Sequence, residues 1–543
     1  MGLTASSRSA QRMIIACAAA LGLAASATAA VAAAAGAPGR TAARQAPLVV
    51  RTTGGEIRGL DKGAAREFLG VPYAASTGGA QRWRPPRPHA PWRGVRNATS
   101  PGPTCAQTGS LATGVLTTST AENCLNLNVY TPRLERGMRA LPVMVWIPGG
   151  GFTGGAGSSY DGAVLAARGH AIVVTINYRL NAFGYLALPS LDGRHQSSGD
   201  YGLMDQQEAM RWVRGNARVF GGNPRNVTIF GESAGGASVC MNMASPTARG
   251  LFEHAIAESG CLFPGFSHQL AELQGGTLAA RLGCTRPAAA AACLRAKPAA
   301  SILKAEAGMG WSPVIGAPTL PESPITAFLT GHYTHVPLLQ GSNHDEGRLF
   351  VGLGFDILQG HPMTRQQYPQ VLTGTFGAAN ARKVIARYPL RRYRSPDLAY
   401  AAVFTDSRFS CPALFADDFT QRSHAYGYEF SDPNPPNDFF IHFSFPLGAA
   451  HSTELQYVFQ RIPLLDTLPP FTRAQLRLSD LIIGYWSQFA ATGNPNGGLR
   501  PRWPRFAGTS PRLQELIPGA TASVLSSRFA AFHRCAFWAH IEA

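Results

Sequence analysis

The chain predicts an α/β fold, a mostly parallel central sheet flanked by helices, with large insertions covering one edge of the sheet. Three observations carry this. The first is a set of short, apolar, β-branched runs that read as buried strands. The second is that helical patterns lie between these runs, and alternation of strand and helix implies a parallel sheet with helices on both faces. The third is composition: 543 residues, 45% apolar and 15% charged, supply a large core and exclude a disordered chain.

Residues 1–35 stand apart. Arg8 and Arg12 precede an Ala-rich apolar stretch from Met13 to Ala35, and Ala27-Thr28-Ala29 and Ala33-Ala34-Ala35 offer small-residue cleavage sites. This is the plan of a secretory signal peptide. The stretch is also long enough for a membrane anchor, but alanine is weakly hydrophobic and the cleavage sites are plentiful. A lipoprotein reading of Ile14-Ile15-Ala16-Cys17 is disfavoured, because almost no apolar stretch precedes it. Residues 36–46 read as a flexible linker. Residues 47–543 follow as one domain without an internal linker or any integral membrane span. The expectation is a secreted, extracellular protein, with eight cysteines left after Cys17 in a compartment that permits disulfides.

The expected strands are Pro142–Ile147, Ala171–Tyr178, Val227–Phe230, Ala255–Ala257, Val336–Gln340 and Tyr426–Phe430. A helix is expected over Asp205–Ala217, with Asp205 as its cap and apolar residues spaced on one face. The long mixed stretches 262–335 and 348–424 read as the insertions. The net charge is +17, from 48 Lys+Arg against 31 Asp+Glu, and all but four of those cations are arginines. They are scattered and form no basic block, which argues against a nucleic-acid partner.

The strongest motif is Gly231-Glu232-Ser233-Ala234-Gly235, which follows the run Val227–Phe230 and opens a small-residue helix start. A serine on a tight strand-to-helix turn projects its hydroxyl outward. The flanking glycines tolerate the crowding, and the helix N-terminus favours developing negative charge.

Around this motif the chain resembles the type-B carboxylesterases, a family of α/β-hydrolases related to the cholinesterases. The resemblance rests on Phe68-Leu69-Gly70-Val71-Pro72-Tyr73 with Arg82-Trp83, Glu122-Asn123-Cys124-Leu125-Asn126-Leu127-Asn128, Asn177-Tyr178-Arg179-Leu180-Asn181, Tyr201-Gly202-Leu203-Met204-Asp205 and Cys535-Ala536-Phe537-Trp538. It covers residues 48 to 543. Asn123 stands where the family usually has Asp. The resemblance implies an α/β-hydrolase fold whose insertions cover the catalytic edge.

A serine nucleophile needs a base, an orienting acid and oxyanion donors. In α/β-hydrolases the acid and then the base follow the serine along the chain, but 14 histidines and many acids leave that choice open on order alone. The resemblance makes it. Gly341-Ser342-Asn343-His344-Asp345-Glu346-Gly347 is similar to the family's acid loop and implies Glu346, leaving Asp345 to bond the loop. Gly448-Ala449-Ala450-His451 is similar to its histidine loop and implies His451 as base, with His344, His424 and His442 as packing or surface residues. Pro148-Gly149-Gly150-Gly151-Phe152 implies oxyanion donors at the amides of Gly150, Gly151 and Ala234. Pro148 departs from the family's usual His or Tyr. It removes a backbone donor, but not at an implied donor position. Glu232, Ser259 and Glu454 match supporting positions, and Arg82 and Glu122 match a structural ion pair.

The resemblance also implies the disulfides Cys105–Cys124, Cys284–Cys293 and Cys411–Cys535, and leaves pairing of Cys240 with Cys261 open. It implies hydrolysis of small-molecule or lipid-like esters with no metal and no cofactor. The loop Ala106–Asn123 contains no aromatic residue, which points to neutral esters, since a quaternary ammonium group needs aromatic faces. Trp311 or Phe443 could fill that space instead. Two further readings remain: a non-catalytic binding protein on the same scaffold, against which all three triad residues argue, and an amidase or peptidase using the same triad. Oligomeric state is not legible.

Overall fold

The computed structural model describes residues 48–109, 118–133, 138–192, 197–436, 442–460 and 470–541. The expected leader 1–35 and linker 36–46 lie outside the described residues, as does part of the loop 106–123. Residues Gln45–Ala543 form one compact unit.

The unit is built on eleven strands: β1 Leu60–Asp61, β2 Ala65–Pro72, β3 Asn126–Pro132, β4 Leu141–Ile147, β5 Ile172–Ile176, β6 Gly222–Glu232, β7 His254–Glu258, β8 Leu338–Asn343, β9 Ala425–Phe430, β10 Arg512–Leu516 and β11 Ala522–Leu525. Their spatial order is β11-β10-β9-β8-β7-β6-β4-β5-β3-β2-β1. From β10 across to β5 every neighbour is parallel. The strands at both ends pair antiparallel.

Alternation along the central strands explains why both faces are covered. On β4, Val143, Val145 and Ile147 join one apolar cluster, while Met144 and Trp146 join another on the opposite face. All five are buried, as successive side chains on a strand covered on both faces must be. The first face packs against α2 (Tyr201–Asn216) and α3 (Ala234–Ala244), and the second against α1 (Ala163–Gly169) and α7 (Arg473–Thr492). The remaining helices named here are α4 (His268–Arg281), α5 (Pro324–Thr330) and α6 (Cys411–Phe419).

All six expected strands are present. The helix expected from Asp205 begins earlier, at Tyr201. Asp205 is not its cap. It is fully buried within the helix and grips Arg179, with Nε 2.7 Å from Oδ2 and Nη2 2.7 Å from Oδ1. A buried carboxylate needs such a partner, and that outweighs the usual capping preference of aspartate. The insertions also do more than cover an edge: α5 packs on α3, and α6 packs on β8 and β9, so both belong to the helical layer.

Four disulfides are formed: Cys105–Cys124, Cys284–Cys293, Cys411–Cys535 and also Cys240–Cys261, the pair left open by the sequence. Arg82 and Glu122 form a two-pronged ion pair, with Nε 2.6 Å from Oε2.

Candidate active site

Ser233 sits between the end of β6 and the start of α3, with φ +57° and ψ −122°. That is a strained backbone for a residue with a side chain. It is held from both sides: the Ser233 amide donates to Glu258 O at 2.9 Å, and its carbonyl accepts from the Ala237 amide at 2.8 Å. The motif glycines follow from crowding here. A Cβ on Gly235 would collide with the carbonyl of Ile147, and one on Gly231 would meet both that carbonyl and Gly235.

The Gly149–Gly151 loop leaves the end of the adjacent strand β4 and runs beside this turn. Gly149 lies against the carbonyl of Glu232 and the Cβ of Ser233, and Gly150 has φ +112°. The amides of Gly150, Gly151 and Ala234 have no acceptor among the described residues. Pro148 does not disturb the loop, because its carbonyl accepts a 2.8 Å bond from the Tyr178 hydroxyl.

Glu346 follows β8, the strand beyond β7, and His451 comes from a loop between β9 and α7. His451 Nδ1 lies 2.6 Å from Glu346 Oε2, and both residues are buried. The other carboxylate oxygen accepts from the Asn343 amide at 2.7 Å. With Nδ1 bonded to a carboxylate, the proton of a neutral imidazole is assigned there, which leaves a lone pair on Nε2. Nε2 has no hydrogen-bond partner. Glu232 Oε1 lies 3.0 Å away, but not in hydrogen-bonding geometry, and it accepts instead from the Ser452 hydroxyl at 2.8 Å. Phe350 and Phe409, both from the second insertion, pack on the imidazole with ring centroids 4.8 and 4.9 Å away.

Electrostatics at His451 follow from this packing. Burial opposes the charged imidazolium, but Glu232 and Glu346 outweigh it and raise the pKa well above the usual histidine value. Glu454 is fully buried. Burial first, then the charges of Glu232, Glu346 and Glu258, hold its carboxyl well above the ordinary range. Asn343 Nδ2 donates to it. Glu258 was not singled out by the sequence, yet it lies on β7 beside Glu232, and burial pushes its pKa up to about 8.

Of the residues selected from the sequence, Glu346, His451, Glu232 and Glu454 lie together, and Ser233 follows Glu232 directly in the chain at the turn into α3. Ser259 is different. It lies at the end of β7 with φ +52°, and its buried hydroxyl bonds none of these groups. Asp345 bonds its loop, accepting from the Ala449 amide at 3.2 Å and pairing with Arg348 at 2.8 Å. Ser452, Phe350 and Phe409 were not singled out from the sequence, because their contribution depends on long-range packing. Asn343 lay inside the motif quoted for the acid loop, but no role was assigned to it.

A family model described as the carboxylesterase family matches residues 46–538. The chain belongs to the carboxylesterase family. A para-nitrobenzyl esterase of Bacillus subtilis (strain 168) is 35% identical over 479 residues, spanning 84% of this chain and 92% of its own. A fumonisin B1 esterase of Sphingopyxis macrogoltabida is 34% identical over 481 residues, 84% of each chain. Among solved structures, a thermophilic PNB esterase superposes with a TM-score of 0.76 at 31% identity, covering 89% of this chain and 99% of its own. The fold is accordingly the α/β-hydrolase fold, and the chain is a carboxylic ester hydrolase.

Proposed function

We propose that this carboxylesterase is an exported serine hydrolase that cleaves neutral acyl esters through an acyl-enzyme. Ser233 Oγ attacks the ester carbonyl carbon as its proton passes to His451 Nε2. Glu346 orients the imidazole through Nδ1 and stabilises it once charged. The amides of Gly150, Gly151 and Ala234 bond the oxyanion. The C–O bond to the alcohol then breaks, and the alcohol leaves with the proton from His451. Water attacks the acyl-enzyme by the reverse path, with His451 again taking a proton, and the acid is released. The observation that carries this reading is the buried 2.6 Å contact of His451 Nδ1 with Glu346.

Export is supported by the signal-like leader and four disulfides. Among the described residues no helix is long and apolar enough to cross a membrane. The preference for neutral esters is supported by the absence of aromatic residues from loop 106–123. Trp311 is buried in the apolar core, and Phe443 packs against Gly352.

The test is covalent labelling with an organophosphate followed by peptide mapping, beside the Ser233→Ala variant. Labelling at Ser233 is expected, with loss of turnover on the order of 10⁶. Labelling elsewhere, or retained activity in the variant, would refute the assignment. Substrate charge is tested by kcat/KM for butyrylthiocholine against an uncharged thioester of the same acyl length, where preference for the cation would refute the neutral-ester reading. A matched ester and amide pair separates an esterase from an amidase.

A further inference from the structure

A second cluster of ligand-type side chains, which shares no residue with the hydrolytic site, lies where the turn at Leu188–Asp192 meets the first turn of α4. We propose that Asp192, His268 and Glu272 form a binding site for a first-row divalent cation of the zinc class, a clip that plays no part in ester hydrolysis.

The geometry is that of a cation site. His268 and Glu272 are four residues apart at the start of α4, so they share one helix face. Asp192 faces them from the turn. Each residue can bring one ligand atom within 4.8 Å of the other two. His268 Nε2 lies 3.6 Å from Asp192 Oδ2. Two ligands about 2.1 Å from one tetrahedral zinc ion stand roughly 3.4 Å apart, so the Asp192–His268 edge fits with little movement, whereas Glu272, now 3.9 Å from the other ring nitrogen, Nδ1, must turn its carboxylate toward Nε2.

An independent observation points to a ligand. The His268 side chain is 9% exposed, and its Nε2 is buried with no hydrogen-bond partner. A buried imidazole nitrogen left unmatched is costly, and here it is aimed at the free oxygen of Asp192. The other oxygen, Oδ1, is occupied by the Ser198 amide at 2.9 Å and hydroxyl at 2.6 Å, which fixes the carboxylate.

Charge gives the same direction. The chain carries 48 Lys+Arg against 31 Asp+Glu, so an acid finds an arginine easily. Yet among the described residues neither Asp192 nor Glu272 has an arginine or lysine at ion-pair distance. Two carboxylates and one imidazole form a doubly negative set when the histidine is neutral. Nitrogen together with carboxylate oxygen suits zinc-class ions better than calcium, which takes oxygen alone.

The scaffold beneath is tight. Ala187, Ala271 and Val314 pack together with Phe266, and Gly275 of α4 lies directly against the carbonyl of Ala187. A bound ion would lock the Leu188–Asp192 turn to α4.

The test uses the full chain, stripped with a chelator and titrated with zinc chloride against a fluorescent zinc indicator. About one zinc per chain is expected, with affinity at least tenfold weaker in Glu272→Gln and in Asp192→Asn. Glu272 is partly exposed, and unchanged ester hydrolysis in Glu272→Gln verifies that the variant is folded. Absence of stoichiometric zinc in the wild type, or wild-type affinity in both variants, would overturn the proposal.

Discussion

Glu232 places a carboxylate oxygen 3.0 Å from His451 Nε2, with the two side chains 3% and 5% exposed. At that distance two unit charges attract by about 1.4 kcal/mol in bulk water and about 5.5 kcal/mol at an effective dielectric of 20. Both residues are buried, so the interaction is nearer the second figure, but even the first is tenfold in a protonation equilibrium. The attraction favours the protonated imidazole, and burial opposes it. The Glu232→Gln variant keeps the shape and still accepts from Ser452, but it removes the charge. His451 then loses its proton at lower pH. Since the base must be neutral to act, the acid limb of kcat/KM should begin above the usual histidine value in the wild type and move to lower pH in the variant. The assay is a pH profile with an uncharged p-nitrophenyl ester under conditions where acylation limits the rate. An acid limb that stays in place, or moves to higher pH, would refute the electrostatic role of Glu232.

Three further outcomes follow from buried contacts elsewhere. His533 bridges Asp406 at 2.6 Å and Glu429 at 2.8 Å; burial opposes its charge, but these partners push its pKa up to about 9. Its stabilisation is therefore complete below the unfolded pKa of about 6.5 and is lost as pH rises through about 9, so the Tm gap between wild type and His533→Gln should shrink between pH 6 and pH 10. The Asp205→Asn variant leaves Arg179 charged and buried, and urea unfolding should record a loss of about 3–5 kcal/mol, whereas a change below about 1 kcal/mol would contradict the pairing argument. Removing the Cys411–Cys535 bond, which closes a separation of 124 residues, should lower stability by about 5 kcal/mol on the chain-entropy model. Denaturant unfolding of the double alanine variant measures that loss, and non-reducing peptide mapping checks all four bonds.

What was legible in the sequence divides along physical lines. The central parallel strands are buried on both faces, so they read as unbroken apolar runs, and each was located within a few residues. Strand β3 was not read as a strand because Asn126 and Asn128 interrupt its apolar pattern. Both asparagines are buried and tie neighbouring segments together: Asn126 donates to Pro103 O at 2.9 Å, and Asn128 to the Thr175 hydroxyl at 3.0 Å. Strands β10 and β11 carry mixed residues at the sheet's rim, where one-sided burial weakens the signal. In the site, the serine turn was legible because a tight turn and close backbone approach demand particular residue types, whereas Glu346 and His451 were reached only through the family resemblance. Glu258 and Phe409 were not legible, since a buried carboxylate beside β6 and an aromatic ring over an imidazole depend on strand order and insertion packing that no local pattern encodes.

The carboxylate cluster around His451 raises a question of charge balance. Glu232, Glu258, Glu346 and Glu454 are all buried, Glu454 feels the charges of the other three, and Glu232 and Glu346 act on the imidazole. Burial first, then the charges of its neighbours, raises the carboxyl pKa of Glu454 well above the ordinary range, and burial raises that of Glu258 to about 8. Two carboxylates then face the ring directly, one at each nitrogen: Glu346 at Nδ1 and Glu232 at Nε2. In the proposed mechanism the resting imidazole is neutral, and it becomes positive when Ser233 gives up its proton. The fixed negative charges interact more strongly with that later state than with the resting one, which is how a preorganised site lowers a barrier. The same charges raise the pH at which His451 becomes available as a base. Glu258, with its carboxyl pKa raised to about 8, adds little negative charge to the cluster at neutral pH and gains it only under alkaline conditions, so near neutrality the field at the ring is set by Glu232 and Glu346.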